Sequence, residues 1–299
     1  MCPVLFNVQI RRAEGLAVVN AAGMTIGIVG AGALGTLFAD ALGKVARVET
    51  LGRGGDPTRL SAARIVLVAV KTYDTVAALR PLRDVLATGA AIASLQNGLL
   101  QVGHIETALG PGRTILLAPT TEGATRHADG TVRRGGFGLT TVGTPAGSAG
   151  TDLGDALADL FRAAGLAAAV ADPIEPHLWA KLVVNAAINP VTALAGRTNA
   201  HVLDHAPASV RAALLAREAA AVAAAAGVAL PYADPVERVL DVARATASNR
   251  SSMLQDLDRG RPTEIEAING EIVRLGRSLG VPTPENERAL DEVRRAAGA

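Results

Sequence analysis

An apolar run, Thr25-Ile26-Gly27-Ile28-Val29, passes directly into Gly30-Ala31-Gly32-Ala33-Leu34-Gly35, and no other segment constrains the fold of this chain as strongly. The run reads as a buried strand and the following Ala33–Leu42 as a helix. Gly30 permits the tight turn, Gly32 lets backbone approach an anion closely, and Gly35 lets helix and strand pack together. Amides at the helix N-terminus and the helix dipole then favour phosphate. A merely structural turn is the alternative, but strand, turn, helix and a second strand in succession point to the pyrophosphate of a dinucleotide.

From Thr25 onward, short apolar runs alternate with helical segments. Strands are expected at Ile26–Val29, Val45–Leu51, Ile65–Val70, Ala90–Leu95 and Thr114–Ala118, with helices at Ala33–Leu42, Thr75–Leu86 and Leu100–Leu109. That alternation predicts a parallel sheet with crossover helices. Thr131–Arg134 and Gly138–Gly143 are expected to add antiparallel strands at the end. Past Asp172-Pro173 strand signals vanish and helical spacing runs to Arg295. Three parts are therefore expected: an extension of uncertain role at 1–23, a nucleotide-binding domain at 24–172, and a helical domain at 173–299.

Lys+Arg 29 against Asp+Glu 28 leaves a formal net charge of +1, and aromatic residues make up 2%. That balance offers nothing to recruit nucleic acid or an anionic membrane, and few base-stacking surfaces. The single cysteine, Cys2, excludes an intrachain disulfide. No apolar run reads as long enough to span a bilayer, and no basic stretch precedes an apolar core at the N-terminus. A cytoplasmic protein is the expectation.

The end of the second strand distinguishes the two nicotinamide cofactors. An acidic residue there would hydrogen-bond the adenine ribose and select NAD. Glu49 sits mid-strand, too early for that contact, whereas Arg53 stands at the strand's end, where a guanidinium can grip a 2′-phosphate. NADPH is the expected cofactor, with a solvated loop arginine as the alternative.

In His177-Leu178-Trp179-Ala180-Lys181-Leu182-Val183-Val184-Asn185-Ala186-Ala187-Ile188-Asn189-Pro190, three polar residues recur every four positions. Lys181, Asn185 and Asn189 thus line one face of an otherwise apolar helix. Buried polar groups need partners, and desolvation lowers a lysine's pKa, making it a better proton donor near neutrality. A lysine snorkelling to the surface is the alternative. Further on, Thr263 can cap a helix whose stripe is Ile265, Ile268, Ile272, Leu275 and Leu279, which puts Glu264 in its first turn.

Together these pieces resemble the ketopantoate reductase family, over nearly all of Thr25–Ala297. The matching blocks are GIVGAGALG, VKTYD, LQNG, APTTEGA, WAKLVVNAAINPVTAL and SSMLQDLDRGRPTEIEAINGEIV, with VPTPEN after it. The resemblance implies a Rossmann-type doubly wound α/β domain followed by an all-helical domain, an arrangement like that of 6-phosphogluconate dehydrogenase. Substrate and nicotinamide are implied to meet in a cleft between the two. It implies NADPH-dependent reduction of 2-dehydropantoate with Lys181 as general acid and Glu264 binding the substrate hydroxyl. Asn97, Asn185, Asn189, Asn249 and Ser252 are implied to contact or orient substrate, and Asn199, which also falls at a family position, is counted with the substrate-binding residues. Asn97 is also implied to sit by the nicotinamide, with Lys71 and Arg53 at the adenine-ribose end of the cofactor. A homodimer through the helical domain is entertained as the assembly.

The pattern departs from the family in two places. Only eleven residues, Gly54–Arg64, separate Arg53 from the next strand, where the family has an extra strand and helix; a parallel crossover needs about a dozen. The segment Met1–Gly23 is expected to cover part of the region so exposed. Arg133 and Arg134 stand where the family often carries a histidine. A reductase of another branched 2-keto acid and a non-catalytic NADP(H)-binding protein both stay open as alternatives. His201 and His205, at helical spacing, lack a third ligand, so no metal is expected.

Overall fold

A computed structural model describes residues 24–127, 129–136, 138–148 and 152–298. The segment Met1–Gly23, and with it the expectation that it covers the sheet edge, lies outside the described residues. Five strands form a parallel sheet: β1 (Thr25–Val29), β2 (Arg47–Leu51), β3 (Ile65–Val68), β4 (Ala91–Ser94) and β5 (Ile115–Leu117). Their order is β2-β1-β3-β4-β5, so the strand order reverses beside β1. Ligands of such sheets bind at the carboxyl ends of the strands at that reversal, which is where Gly30–Gly35 follows β1. Removing the third strand from the dinucleotide-binding order 3-2-1-4-5-6 leaves this same arrangement. Among the described residues, the short Gly54–Arg64 passage carries no strand, and β2 stands at the end of the sheet order. A single 3-10 turn, Pro57–Leu60, makes the crossover. Asp56 accepts from the Thr58 N–H at 2.9 Å, and Leu60 is fully buried under Gly27.

Helices α1 (Ala33–Leu42), α2 (Thr75–Leu79), α3 (Gln101–Leu109) and α4 (Asp152–Ala163) belong to the same unit. Helix α2 stops early, and a 3-10 turn at Arg80–Leu82 replaces its expected end, because Pro81 lacks the amide that the helical ladder needs. In the core, Phe38 of α1 meets Phe161 of α4 edge-to-face at 5.3 Å.

The expected antiparallel addition is half right. Strands β6 (Gly123–Arg126) and β7 (Val132–Gly136) do pair antiparallel as a hairpin. Strand β8 (Leu139–Val142) instead pairs in parallel with β9 (Ala167–Val170), across the crossover made by α4. Its antiparallel contacts are the isolated bridges Leu117 with Gly143 and Thr120 with Thr140. The Ala-Ala-Ala-Val composition of β9 reads as helix by propensity, and only its pairing makes it a strand.

The chain divides into two compact units. The first runs to Gln96 and resumes over Leu100–Ile174; the second joins Asn97–Leu99 to the chain from Glu175 onward. The second unit is helical: α5 (Glu175–Ala195), α6 (His201–Asp204), α7 (Ala206–Ala225), α8 (Pro235–Ala245), α9 (Ser252–Asp258), α10 (Glu271–Leu279) and α11 (Pro284–Ala296). Helix α5 is its axis. Buried Ala186 and Ala187 on α5, with Ala212, Ala216, Ala219 and Ala223 on α7, carry so little side chain that the two helices approach closely. Glu218 of α7 reaches the start of α11 and accepts from the N–H groups of Glu285 and Asn286, both at 2.9 Å, which satisfies amides the helix cannot.

Among the described residues α5 has the length and mean hydropathy, 1.3, that a bilayer span needs, contrary to the expectation that no segment does. Within this unit, 72% of that stretch is buried, as a core helix would be.

Candidate active site

The glycine-rich turn is shaped by what its glycines lack. Gly30 has φ of +116°, and a β-carbon there would lie 2.8 Å from the Ala69 backbone carbon after β3. A β-carbon on Gly35 would meet the Gly30 oxygen at 1.8 Å, so the helix closes on the strand only because that atom is missing. Gly32 differs: nothing lies within 4 Å of where its side chain would be. Gly32 heads α1 without a side-chain cap, and no acidic residue occupies the first turn. With Ala31 and Gly32 exposed and Ala33 and Leu34 half-buried, this helix start presents bare amides to solvent, a surface that suits a pyrophosphate.

Arg53 and Lys71 follow β2 and β3 at the same carboxyl end of the sheet. Arg53 is 92% exposed, with Asp74 at 3.7 Å, and a pair so exposed holds the arginine weakly. Lys71 is half-buried at the start of a 3-10 turn. Glu49 is engaged elsewhere, bound by Arg59 at 2.8 Å and Arg47 at 3.1 Å. The Arg59 hydrogen bond foremost, then that from Arg47, holds its carboxyl below the usual range.

In the helical unit one member of the expected α5 stripe, Asn185, acquires a hydrogen-bond partner. Asn185 donates from Nδ2 to Asn97 Oδ1 at 3.4 Å, and Asn97 donates from Nδ2 to Glu264 Oε2 at 3.0 Å. Lys181 lies one turn before Asn185 and is half-buried. Burial lowers its pKa to about 8, and the Glu264 charge partly counters that drop. Glu264 itself is buried to 6% exposure.

Three local departures from regular structure hold this group. Gly98, at φ +86°, lies against the Ala267 carbonyl, which a β-carbon would approach to 2.6 Å; any side chain there would push Asn97 away from Glu264. The helix that begins beyond Thr263 widens into a π-turn at Glu266–Gly270. Thr263, expected as its cap, instead makes a local turn contact, accepting from the Ile265 N–H at 3.4 Å, and the π-turn has no side-chain cap. Inside α5, Pro190 has no N–H to offer the Ala186 carbonyl four residues back. Asn269, on the π-turn, donates to that carbonyl at 3.1 Å. The proline therefore opens a socket that ties the Glu264 segment to α5.

The other expected residues divide. Asn189 is buried and its Nδ2 has no partner among the described residues, an arrangement that is costly unless a ligand or water accepts from it. Asn199 donates to Thr246 Oγ1 at 2.8 Å, and its N–H bonds the Asn249 carbonyl at 2.9 Å, so it braces the loop bearing Asn249. Ser252 is exposed on the first turn of α9, while its neighbour Ser251 is buried, caps the helix through the Leu254 N–H and accepts from Thr192 Oγ1 at 3.0 Å.

Two family profiles match this chain: "Ketopantoate reductase PanE/ApbA" over residues 54–147 and "Ketopantoate reductase PanE/ApbA C terminal" over 173–297. The 2-dehydropantoate 2-reductase of Archaeoglobus fulgidus is 39% identical over 232 residues, 78% of this chain and 76% of that one. That of Vibrio cholerae serotype O1 is 34% identical over 294 residues, 91% of this chain and 97% of the relative. The chain belongs to the ketopantoate reductase family. Its members are nicotinamide-dependent oxidoreductases. The crystal structure of 2-dehydropantoate 2-reductase from Geobacter metallireducens GS-15 superposes with a TM-score of 0.84 at 27% identity, covering 91% of this chain and 100% of that one.

Arg134, one of the two arginines expected to depart from the family pattern, forms a forked ion pair with Glu122, whose side chain is fully buried. Each of the two satisfies the other, and Glu122 is the residue that the motif alone did not flag. Sequence reasoning also missed Asn269 and Ser251. The signal for Asn269 was Pro190: a proline inside a long helix leaves a carbonyl that something must satisfy.

Proposed function

We propose that this chain reduces 2-dehydropantoate (ketopantoate) to pantoate, a step toward pantothenate (vitamin B5) and coenzyme A, using NADPH, with Lys181 as general acid. The observation that carries the reading is the hydrogen-bonded set Asn185–Asn97–Glu264, with Lys181 one helical turn from Asn185; burial lowers the lysine's pKa to about 8 against the opposing Glu264 charge. A bound nicotinamide would supply hydride to the carbonyl carbon, and the ammonium of Lys181 would stabilise and then protonate the oxygen on which charge develops. Glu264 keeps the lysine charged enough to act and offers its carboxylate to the substrate hydroxyl. Asn97, fixed by a bond at each end of its amide, keeps Glu264 turned. Asn185, Asn189, Asn249 and Ser252 contribute substrate contacts, with the unpaired Asn189 amide the best-motivated of them. Asn199 acts through the loop it braces.

Gly30–Gly35 would hold the pyrophosphate, and Arg53 with Lys71 the 2′-phosphate. The assignment of NADPH rests on Arg53 being exposed and weakly engaged, hence available to an anion. Residues 24–172 serve as the nucleotide domain and 173–299, completed by Asn97, as the catalytic one. The remaining proposals are a cytoplasmic location and a homodimer through the helical domain.

The test is NADPH oxidation at 340 nm with ketopantoate, run beside NADH and two other branched 2-keto acids. Turnover that favours ketopantoate and NADPH supports the reading. A folded protein that binds NADPH and turns over none of the acids would refute the enzymatic claim.

A further inference from the structure

The turn Gly30–Gly35 and the rest of α1 up to Ala39 carry no charged side chain, so the cradle by itself offers only backbone dipoles to a doubly charged pyrophosphate. One guanidinium nonetheless touches it. Arg126, at the end of β6 in the β6–β7 hairpin, donates from Nη2 to the Ala31 carbonyl at 2.7 Å and to Thr36 Oγ1 at 2.9 Å. Its Nη1 donates to the Gly130 carbonyl at 3.0 Å, across the hairpin's own turn. A carbonyl in the middle of an anion cradle is a local negative pole. Arg126 covers that pole and brings a guanidinium to the turn itself, at the residue before Gly32. The hairpin also packs along α1, which holds the arginine in register with the helix start.

We propose that Arg126 is a further cofactor-binding residue, whose guanidinium neutralises the pyrophosphate of the dinucleotide while fixing the Ala31 carbonyl. The assignment rests on the reading of this turn as a nicotinamide-cofactor site. Because the pyrophosphate is common to both cofactors, Arg126 serves NADPH and NADH alike, in contrast to the role given to Arg53.

The experiment is fluorescence titration of NADPH and of NADH into wild type, Arg126→Gln and Arg126→Lys, each at low and at high salt, with melting temperatures of the ligand-free proteins. Arg126→Gln is expected to raise both dissociation constants by the same factor, on the order of tenfold at low salt. Arg126→Lys, which keeps the charge, should recover part of the loss. The gap between wild type and Arg126→Gln should shrink at high salt, as screening of a surface charge requires; a purely structural role would move the melting temperature and leave the salt slope unchanged. Loss confined to NADPH would make Arg126 a reader of the 2′-phosphate and overturn the proposal. So would dissociation constants within about twofold of wild type, or a loss of equal size at both salt concentrations. If wild type binds neither nucleotide, the cofactor reading itself fails, an outcome separable from failure of Arg126 alone.

Discussion

The glycine-rich turn of the first unit and the Lys181 group of the second are built from opposite materials. Around Gly30–Gly35 the working parts are backbone amides and missing side chains: Gly35 has no room for a β-carbon, and Gly32 has room that stays open. Around Lys181 the working parts are side chains, and their partners come from far along the chain, Asn97 lying 88 residues from Asn185 and 167 from Glu264. A cradle of backbone tolerates a change of side chain wherever the chain leaves space. A relay of side chains fails at any one member.

The sharpest way to test that contrast is Lys181→Ala. It should lower kcat by about 10²- to 10⁴-fold, the range for a lost general acid, while the NADPH dissociation constant stays near wild type. Equal loss of both would show that the lysine is structural and erase the distinction. On the other side, Gly35→Ala and Gly32→Ala should separate. The former forces an atom into the Gly30 carbonyl and should cost about 1–3 kcal/mol or more in urea unfolding. The latter should leave unfolding within about 0.5 kcal/mol of wild type and weaken nucleotide binding alone. Matching behaviour of the two would mean the open space at Gly32 has no ligand to admit.

A smaller effect probes the Pro190 socket. Asn269→Leu should destabilise the protein by about 1–3 kcal/mol, since it strands the buried Ala186 carbonyl. Adding Pro190→Ala should restore part of that loss, because an alanine at this position can donate the missing helical hydrogen bond. Strictly additive effects in this double-mutant cycle would argue that the two residues are independent. The finest test is one of pH. The proton of Lys181 is available below about 8 and lost above it, so kcat/KM should fall on that alkaline side. Glu264→Gln removes the charge that holds the lysine's pKa up, and should move the falling limb to lower pH. A limb that stays in place would detach Glu264 from the lysine.

The same contrast explains what could be read from sequence. The turn was legible because its function resides in local spacing, and so was the polar stripe on α5. The Lys181, Asn97 and Glu264 set came from family resemblance; periodicity does not carry contacts between segments so far apart. Strand β9 was hidden because alanine-rich sequence is indifferent to being a strand until a partner pairs with it. Asn269 was hidden because its role is defined by a bond that Pro190 fails to make. The 3-10 crossover at Pro57–Leu60 was visible only as a shortage of residues between Arg53 and β3.

Asn97–Leu99 is three residues long and is claimed by the helical unit although both flanks belong to the other. Anyone recombining this chain with a relative at the obvious junction near residue 174 would inherit Glu264 from one parent and Asn97 from the other. Gly98 and the Ala267 carbonyl it lies against would be separated in the same cut. A chimera should therefore exchange two pieces, the tripeptide and the helices together, and a single-crossover library is expected to be poor in active members for a reason invisible at the crossover itself.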